Sequence, residues 1–188
     1  MPDVASGTGA ERSRAGGHRP WHVVYAADRI SGRVRALGAQ ITSEYPAGTT
    51  LLMLGLLKGS FIFMADLVRC IGLPVHVDFL VVSSYGGGTT SSGRVDTLYE
   101  ANTLIEGRHV VLVEDIVDSG HTINELVPSL RAREPASLEV CALLHKRKAE
   151  RLALEPRWVG FEAPDEFLVG YGLDRAEDFR HLPFIASL

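Results

Sequence analysis

Three carboxylates stand within five residues in Glu114-Asp115-Ile116-Val117-Asp118, and Ser119-Gly120-His121-Thr122 follows directly. Clustered acids of this kind can hold sugar hydroxyls or a cation, or take up a proton. The polar turn behind them suits a different ligand. Ser119 and Thr122 carry hydroxyl donors, and Gly120 lets a backbone approach an anion closely. A helix beginning here adds unpaired N–H groups and a dipole that favour phosphate. The acids alone would repel that phosphate, so the two halves of the motif must address different parts of a ligand. An isolated Asp-Ser-Gly turn is more simply a helix cap with solvated acids. The full run, placed straight after the apolar Val110-Val111-Leu112-Val113, is more specific and points to a site.

The elements that must position this motif can be read from the pattern of apolar residues. Ile30, Val34, Leu37 and Ile41 fall at helical spacing and predict an amphipathic helix over 27–45. Leu51 to Leu57 form a continuous apolar run of strand length, suited to a strand covered on both faces. Lys58-Gly59-Ser60 interrupts it, and Ser60 is placed to cap a helix running through Phe63, Leu67 and Val68 to Ile71. Strands are expected over 75–83, 95–99, 110–113 and 138–144, with a helix over 120–132. The segment from Ser84-Tyr85 to Gly93 has little local preference and is either a linker or a lid. Strands alternating with helices imply an α/β fold with a mainly parallel twisted sheet flanked by helices. In such sheets ligands bind at the carboxyl ends of the strands, where the acid run lies. Neighbouring strand residues point to opposite faces, so Glu114 and Asp115 share a task only if the strand twists out at its end. From Trp158 to Leu188 the pattern breaks into short β-like pieces, 158–161 and 167–171, interrupted by Pro164, Gly170 and Gly172. That stretch reads as a small irregular unit beside the sheet.

Composition limits the partners. The 188 residues carry 19 Lys and Arg against 23 Asp and Glu, a formal net charge of −4. This argues against broad binding to a nucleic acid polymer or an anionic membrane, but leaves room for a compact anionic ligand. No apolar stretch approaches the roughly 18 residues that span a bilayer, and the N-terminus has no apolar signal region. Cys70 and Cys141 are too few for a disulfide scaffold and are expected as buried free thiols, which suits a cytoplasmic protein. Residues 1–19 lack apolar periodicity and are expected to be a disordered tail, leaving 20–188 as one domain.

The acid run closely resembles the phosphoribosyl pyrophosphate motif of the type I phosphoribosyltransferases, and more narrowly that of the hypoxanthine-guanine phosphoribosyltransferase group. The resemblance covers roughly residues 22 to 185. It includes Leu56-Leu57-Lys58-Gly59-Ser60, the Ser84-Tyr85 loop, the acid motif, and the run from Val159-Gly160-Phe161 to Gly172-Leu173-Asp174. It implies the type I phosphoribosyltransferase fold, with a small C-terminal hood formed largely by 155–188. It also implies transfer of the 5-phosphoribosyl group from phosphoribosyl pyrophosphate to hypoxanthine or guanine, giving IMP or GMP and pyrophosphate. Magnesium is the implied cofactor, and a homodimer or homotetramer the implied assembly.

Carried over residue by residue, the resemblance makes Asp118 the general base near N7 of the purine. Glu114 and Asp115 hold the ribose hydroxyls and help to place Mg²⁺. The turn Asp118-Ser119-Gly120-His121-Thr122 cradles the 5′-phosphate. Lys58, Gly59 and Arg180 bind pyrophosphate, with a non-proline cis bond between Leu57 and Lys58. Phe167 stacks on the purine, the main chain at Leu168 reads the base edge, and Asp174 lies beside them, helping to hold a second metal ion. Ser84 and Tyr85 belong to a flexible loop that closes over the ribose. For the 6-oxo group, some members use a lysine at the position of Glu155, which cannot serve here; the role passes to Lys146, with Arg147 and Lys148 as neighbouring candidates. A xanthine-preferring enzyme, a nucleotide-sensing transcriptional regulator of the same fold and a generic dinucleotide-binding protein are the competing readings. The regulator lacks support because no DNA-binding domain is appended, and the dinucleotide reading because no G-x-G-x-x-G follows the first strand.

Overall fold

Why the apolar run at Leu51 and the acids at Glu114 meet at one place is a matter of sheet order. A computed structural model describes residues 21–84, 95–99, 103–148 and 151–188. In chain order the elements are β1 (His22–Tyr25), α1 (Ala27–Glu44), β2 (Leu51–Leu57), α2 (Phe61–Val68), β3 (Val75–Ser84), β4 (Val95–Tyr99), β5 (His109–Val117), α3 (His121–Arg131), β6 (Ser137–His145), β7 (Trp158–Glu162), β8 (Leu168–Val169) and β9 (Ile185–Ser187). Six strands form one sheet in the order β4-β3-β2-β5-β6-β7. All neighbours pair in parallel except β4, which runs antiparallel to β3 at the edge.

β2 is a continuous apolar run because both its faces are covered. Leu51 and Met53 pack into a core with Ile30, Val34, Leu37 and Ile41 of α1 and with Phe63, Met64 and Leu67 of α2. Leu52 and Leu54 pack on the other side with Leu126, Val127 and Leu130 of α3. The α1 stripe expected from its spacing is the buried face of that helix. Two cores, one on each side of a parallel sheet, are what such strands require.

The chain leaves β2 toward β3 on one side, while β5 lies on its other side. The carboxyl ends of β2 and β5 therefore flank a topological switch point, where open α/β sheets bind ligands. Lys58-Gly59 follows β2 there, and the acid run closes β5.

Several sequence expectations are corrected. The strand expected over 110–113 extends to Val117, so Glu114 and Asp115 lie inside it; Ile116 pairs with Leu144 and Val117 with His145 of β6. Helix α2 ends at Val68, and Ile71 lies beyond it. Ser60 does not cap α2 by its side chain; its hydroxyl donates to the Leu56 carbonyl at 2.6 Å. Trp158–Glu162, assigned to the hood from sequence, is instead the edge strand of the large sheet, because it pairs with β6. The small second sheet, in the order β1-β9-β8, takes in β1 from the other end of the chain. Cys141 is buried and its thiol is pushed up to about 12 by burial, while Cys70 is only half-buried; both are free. The expected tail 1–19 and Tyr85 lie outside the described residues, and Ser84 is the last residue of β3. Among the described residues no helix is long and apolar enough to cross a membrane.

Candidate active site

The turn after β5 has the form that its sequence suggests. Gly120 takes φ +79°, a left-handed conformation that glycine adopts without strain. It is the N-cap of α3, and no side chain caps the helix. The simple capping role for Asp118 or Ser119 is therefore not realised. The first helical bond runs from the Asn124 amide to the Gly120 carbonyl at 2.9 Å. Amides ahead of Asn124 have no helical carbonyl to reach, and this is the usual setting for an anion. Asp118, Ser119 and His121 are exposed there, and Thr122 is half-exposed.

The two acids within β5 differ from Asp118. Glu114 is buried, and its Oε2 has no hydrogen-bond partner among the described residues. Burial pushes its carboxyl well above the ordinary range, and the adjacent Asp115 charge adds to this. Asp115 is raised to about 6, mainly by burial, with Asp174 adding to the shift; backbone amides and Arg180 oppose it. A buried carboxylate without a partner is costly unless something neutralises it. The described residues contain no cluster of three or more His, Cys, Asp or Glu that could cage a metal unaided. Hard carboxylate oxygens in ones and twos nevertheless fit magnesium, which completes its shell with water and substrate phosphate.

Gly59 closes the other side of the switch point. The peptide bond from Leu57 to Lys58 is cis. A Cβ on Gly59 would fall 1.7 Å from Asp115 Oδ2, so the loop after β2 and the end of β5 touch through a missing side chain. A Cβ on Gly172 would fall 2.1 Å from the Gly59 carbonyl oxygen. These two glycines let three segments meet at van der Waals distance.

Arg180 braces the third segment from within and lies near enough to Asp115 for its charge to act on that carboxyl. Its Nη1 donates to the Gly172 carbonyl at 2.8 Å, and its Nη2 lies 2.8 Å from Asp174 Oδ1. Its Nε is buried with no partner among the described residues. Lys58 extends its Nζ to Glu177 Oε1 at 3.0 Å. Asp174 thus stands beside Arg180 and close enough to perturb Asp115.

Asp118 and Lys146 form a second centre. Lys146 Nζ lies 3.2 Å from Asp118 Oδ2, and the lysine side chain is only 11% exposed. Its amide donates to the Val117 carbonyl at 2.8 Å, which fixes β6 against the start of the turn. Arg147 pairs instead with Glu162 at 2.6 Å, and Lys148 with Asp165. Of the three basic neighbours, Lys146 is the one that faces the acid turn. Phe167 stands apart from these contacts, 55% exposed just before β8. The Leu168 side chain is buried, and the residue pairs with Ser187. Trp158 is buried in the main core and is not a platform.

Sequence reasoning missed Tyr171, Asp66 and Glu177. Tyr171 donates to Asp66 Oδ2 at 2.6 Å, tying the hood turn to α2. Burial pushes its hydroxyl far above the ordinary range, and the Asp66 carboxylate adds to the shift, so it remains a donor. The flanking Gly170 and Gly172 were the visible signal of a tight turn; all three residues take positive φ, and of these only Tyr171 is a non-glycine. Tyr171→Phe is expected to cost about 1 kcal/mol, lowering the melting temperature by roughly 2–4 °C. An unchanged thermal melt would contradict this.

Known proteins match most of this chain. A model of the phosphoribosyl transferase domain matches residues 21–176. The hypoxanthine phosphoribosyltransferase of Haemophilus influenzae is 44% identical over 168 residues, which cover 88% of this chain and 94% of that protein. The hypoxanthine-guanine phosphoribosyltransferase of Dictyostelium discoideum is 43% identical over 169 residues, covering 88% and 94%. A crystal structure of a hypoxanthine-guanine phosphoribosyltransferase from Bacillus anthracis matches with a TM-score of 0.83 at 40% identity, covering 89% of this chain and 98% of that one. The chain belongs to the phosphoribosyltransferase family, and these relatives within it, matched along nearly their whole length, are hypoxanthine and hypoxanthine-guanine phosphoribosyltransferases.

Proposed function

We propose that this chain is a purine salvage enzyme that transfers the 5-phosphoribosyl group of phosphoribosyl pyrophosphate to hypoxanthine or guanine. The products are IMP or GMP and pyrophosphate. The observation that carries the reading is the meeting of Gly59, Asp115 and Arg180 beside the acid turn at the switch point between β2 and β5. Such a site offers amides and a guanidinium to phosphates and carboxylates to a sugar, within reach of each other. The names of the relatives supply the purine.

In this reading the amides of the 118–122 turn take the 5′-phosphate. Glu114 and Asp115 face the ribose hydroxyls. The Lys58-Gly59 loop and Arg180 take the pyrophosphate, where a planar guanidinium suits phosphate oxygens. Asp115 and Asp174, together with substrate oxygens, would hold Mg²⁺, which would supply positive charge to offset that of the leaving pyrophosphate. Phe167 stacks on the purine, with the Leu168 main chain at its edge. Lys146 donates to the 6-oxo oxygen. As N9 of the purine bonds to the anomeric carbon, the bond from that carbon to pyrophosphate breaks, and Asp118 accepts the purine proton near N7. A reducing, cytoplasmic setting suits the two free thiols.

Lys146→Ala is expected to raise the KM for the purine by roughly 10- to 10²-fold, the worth of a charge-assisted hydrogen bond. The KM for phosphoribosyl pyrophosphate should change far less. Equal increases in both would remove Lys146 from base recognition. The reading itself is tested by supplying hypoxanthine, guanine, xanthine and adenine in turn with phosphoribosyl pyrophosphate and Mg²⁺. Nucleotide is expected from hypoxanthine and guanine; absence of product from every 6-oxopurine would overturn it.

A further inference from the structure

Glu177 touches both cations of the pyrophosphate arm, and the proposed chemistry gives it no role. Its two carboxylate oxygens reach two different cations: Oε1 lies 3.0 Å from Lys58 Nζ, and Oε2 lies 3.4 Å from Arg180 Nη2. Those cations sit on segments 119 and 3 residues away from it in sequence. Glu177 is itself in a left-handed conformation at φ +69°, between Ala176 at +53° and Phe179 at +75°. Its amide is tied to Asp174 Oδ2 at 2.9 Å. This turn presents the carboxylate outward, where the side chain is 65% exposed. The Lys58 ammonium holds its carboxyl below the usual carboxylate range, so it is an anion at neutral pH.

We propose that Glu177 is a tethered stand-in for pyrophosphate, bridging Lys58 and Arg180 and competing with the diphosphate for both. This inference rests on the pyrophosphate role proposed above for those two residues. Two oxygens on one anion spanning an ammonium and a guanidinium reproduce the charge pattern that a diphosphate would supply. Asp174 Oδ1 also lies 2.8 Å from the same Nη2, yet the guanidinium is still incompletely satisfied, because its buried Nε has no partner among the described residues. A diphosphate that displaced the carboxylate could satisfy more of that fork, since phosphate oxygens pair with it bidentately. Displacement also returns Glu177 to water at little cost, because exposed ion pairs contribute little. The carboxylate thus weakens diphosphate binding modestly and helps it to leave after transfer.

The test is direct binding of magnesium pyrophosphate to the full chain by calorimetry, alongside steady-state kinetics. Glu177→Gln removes the charge and keeps the length; Glu177→Asp keeps the charge and shortens the reach, so that it cannot span both cations. Glu177→Gln is expected to tighten pyrophosphate roughly three- to tenfold, the worth of one or two exposed ion pairs. Glu177→Asp should tighten it by less, and the KM for hypoxanthine should not move in either. Wild-type binding that is unchanged or weakened in both variants would overturn the stand-in role while leaving the proposed activity intact. A wild-type chain that bound no pyrophosphate and made no nucleotide would overturn both.

Discussion

Asp118→Asn is expected to reduce turnover by ~10²-fold or more, with the KM for phosphoribosyl pyrophosphate changing little. The substitution keeps the size and the hydrogen-bonding shape of the side chain but removes its capacity to accept a proton. Asp118 begins the turn after β5, beside Lys146 Nζ at 3.2 Å. A purine whose 6-oxo group is held by Lys146 places its five-membered ring close to the same carboxylate. Loss of the proton acceptor is therefore felt when N9 attacks, not when the substrates bind. The turn amides proposed to hold phosphate belong to the backbone and are untouched by the change. Steady-state kinetics with both substrates varied separate the two parameters. Near-normal turnover would take Asp118 out of the base role.

Gly59→Ala is expected to lower kcat/KM for phosphoribosyl pyrophosphate by roughly 10²-fold, the size of effect that follows from misplacing a binding group by about 1 Å. The added Cβ would lie 1.7 Å from Asp115 Oδ2 and 2.5 Å from its Cγ. No atoms tolerate that approach, so either the loop or the Asp115 carboxylate must move. On the far side the Gly59 carbonyl is already against Gly172, which leaves the loop little room to retreat. Asp115 therefore leaves its position between Gly59 and the charges of Arg180 and Asp174. Gly59 contributes no side chain to the core cluster around Leu51 and Met53, so the melting temperature should fall by less than the activity suggests. Unaltered kcat/KM would show that the loop and the acid do not need their close approach.

The parts of this molecule that could be read from sequence are those set by local pattern. The α1 stripe, the two-sided apolar run of β2 and the glycine turn after β5 each follow from spacing within a few residues. The acids could be singled out as a candidate site because they follow directly on a buried strand and precede a glycine turn into a helix. What could not be read is set by pairing between distant segments. β5 runs on through Glu114 and Asp115 because β6 offers partners as far as His145. Trp158–Glu162 joins the large sheet, and β1 crosses to the small one, because of partners more than a few residues away. The bond from Tyr171 to Asp66 spans 105 residues, and that from Lys58 to Glu177 spans 119. Neither residue of such a pair carries a local signal of the other. Lys146 was legible as one of three basic neighbours; what distinguishes it is that Arg147 and Lys148 are drawn to Glu162 and Asp165.

The central claim is that one site at the β2–β5 switch point couples loss of pyrophosphate to formation of a purine nucleotide. It is tested most directly by incubating the full chain with phosphoribosyl pyrophosphate, Mg²⁺ and hypoxanthine, and following IMP and pyrophosphate in the same reaction. Both are expected in equal amounts, and neither in quantity when the purine is left out. Pyrophosphate released without nucleotide, or no turnover with any 6-oxopurine, would contradict it.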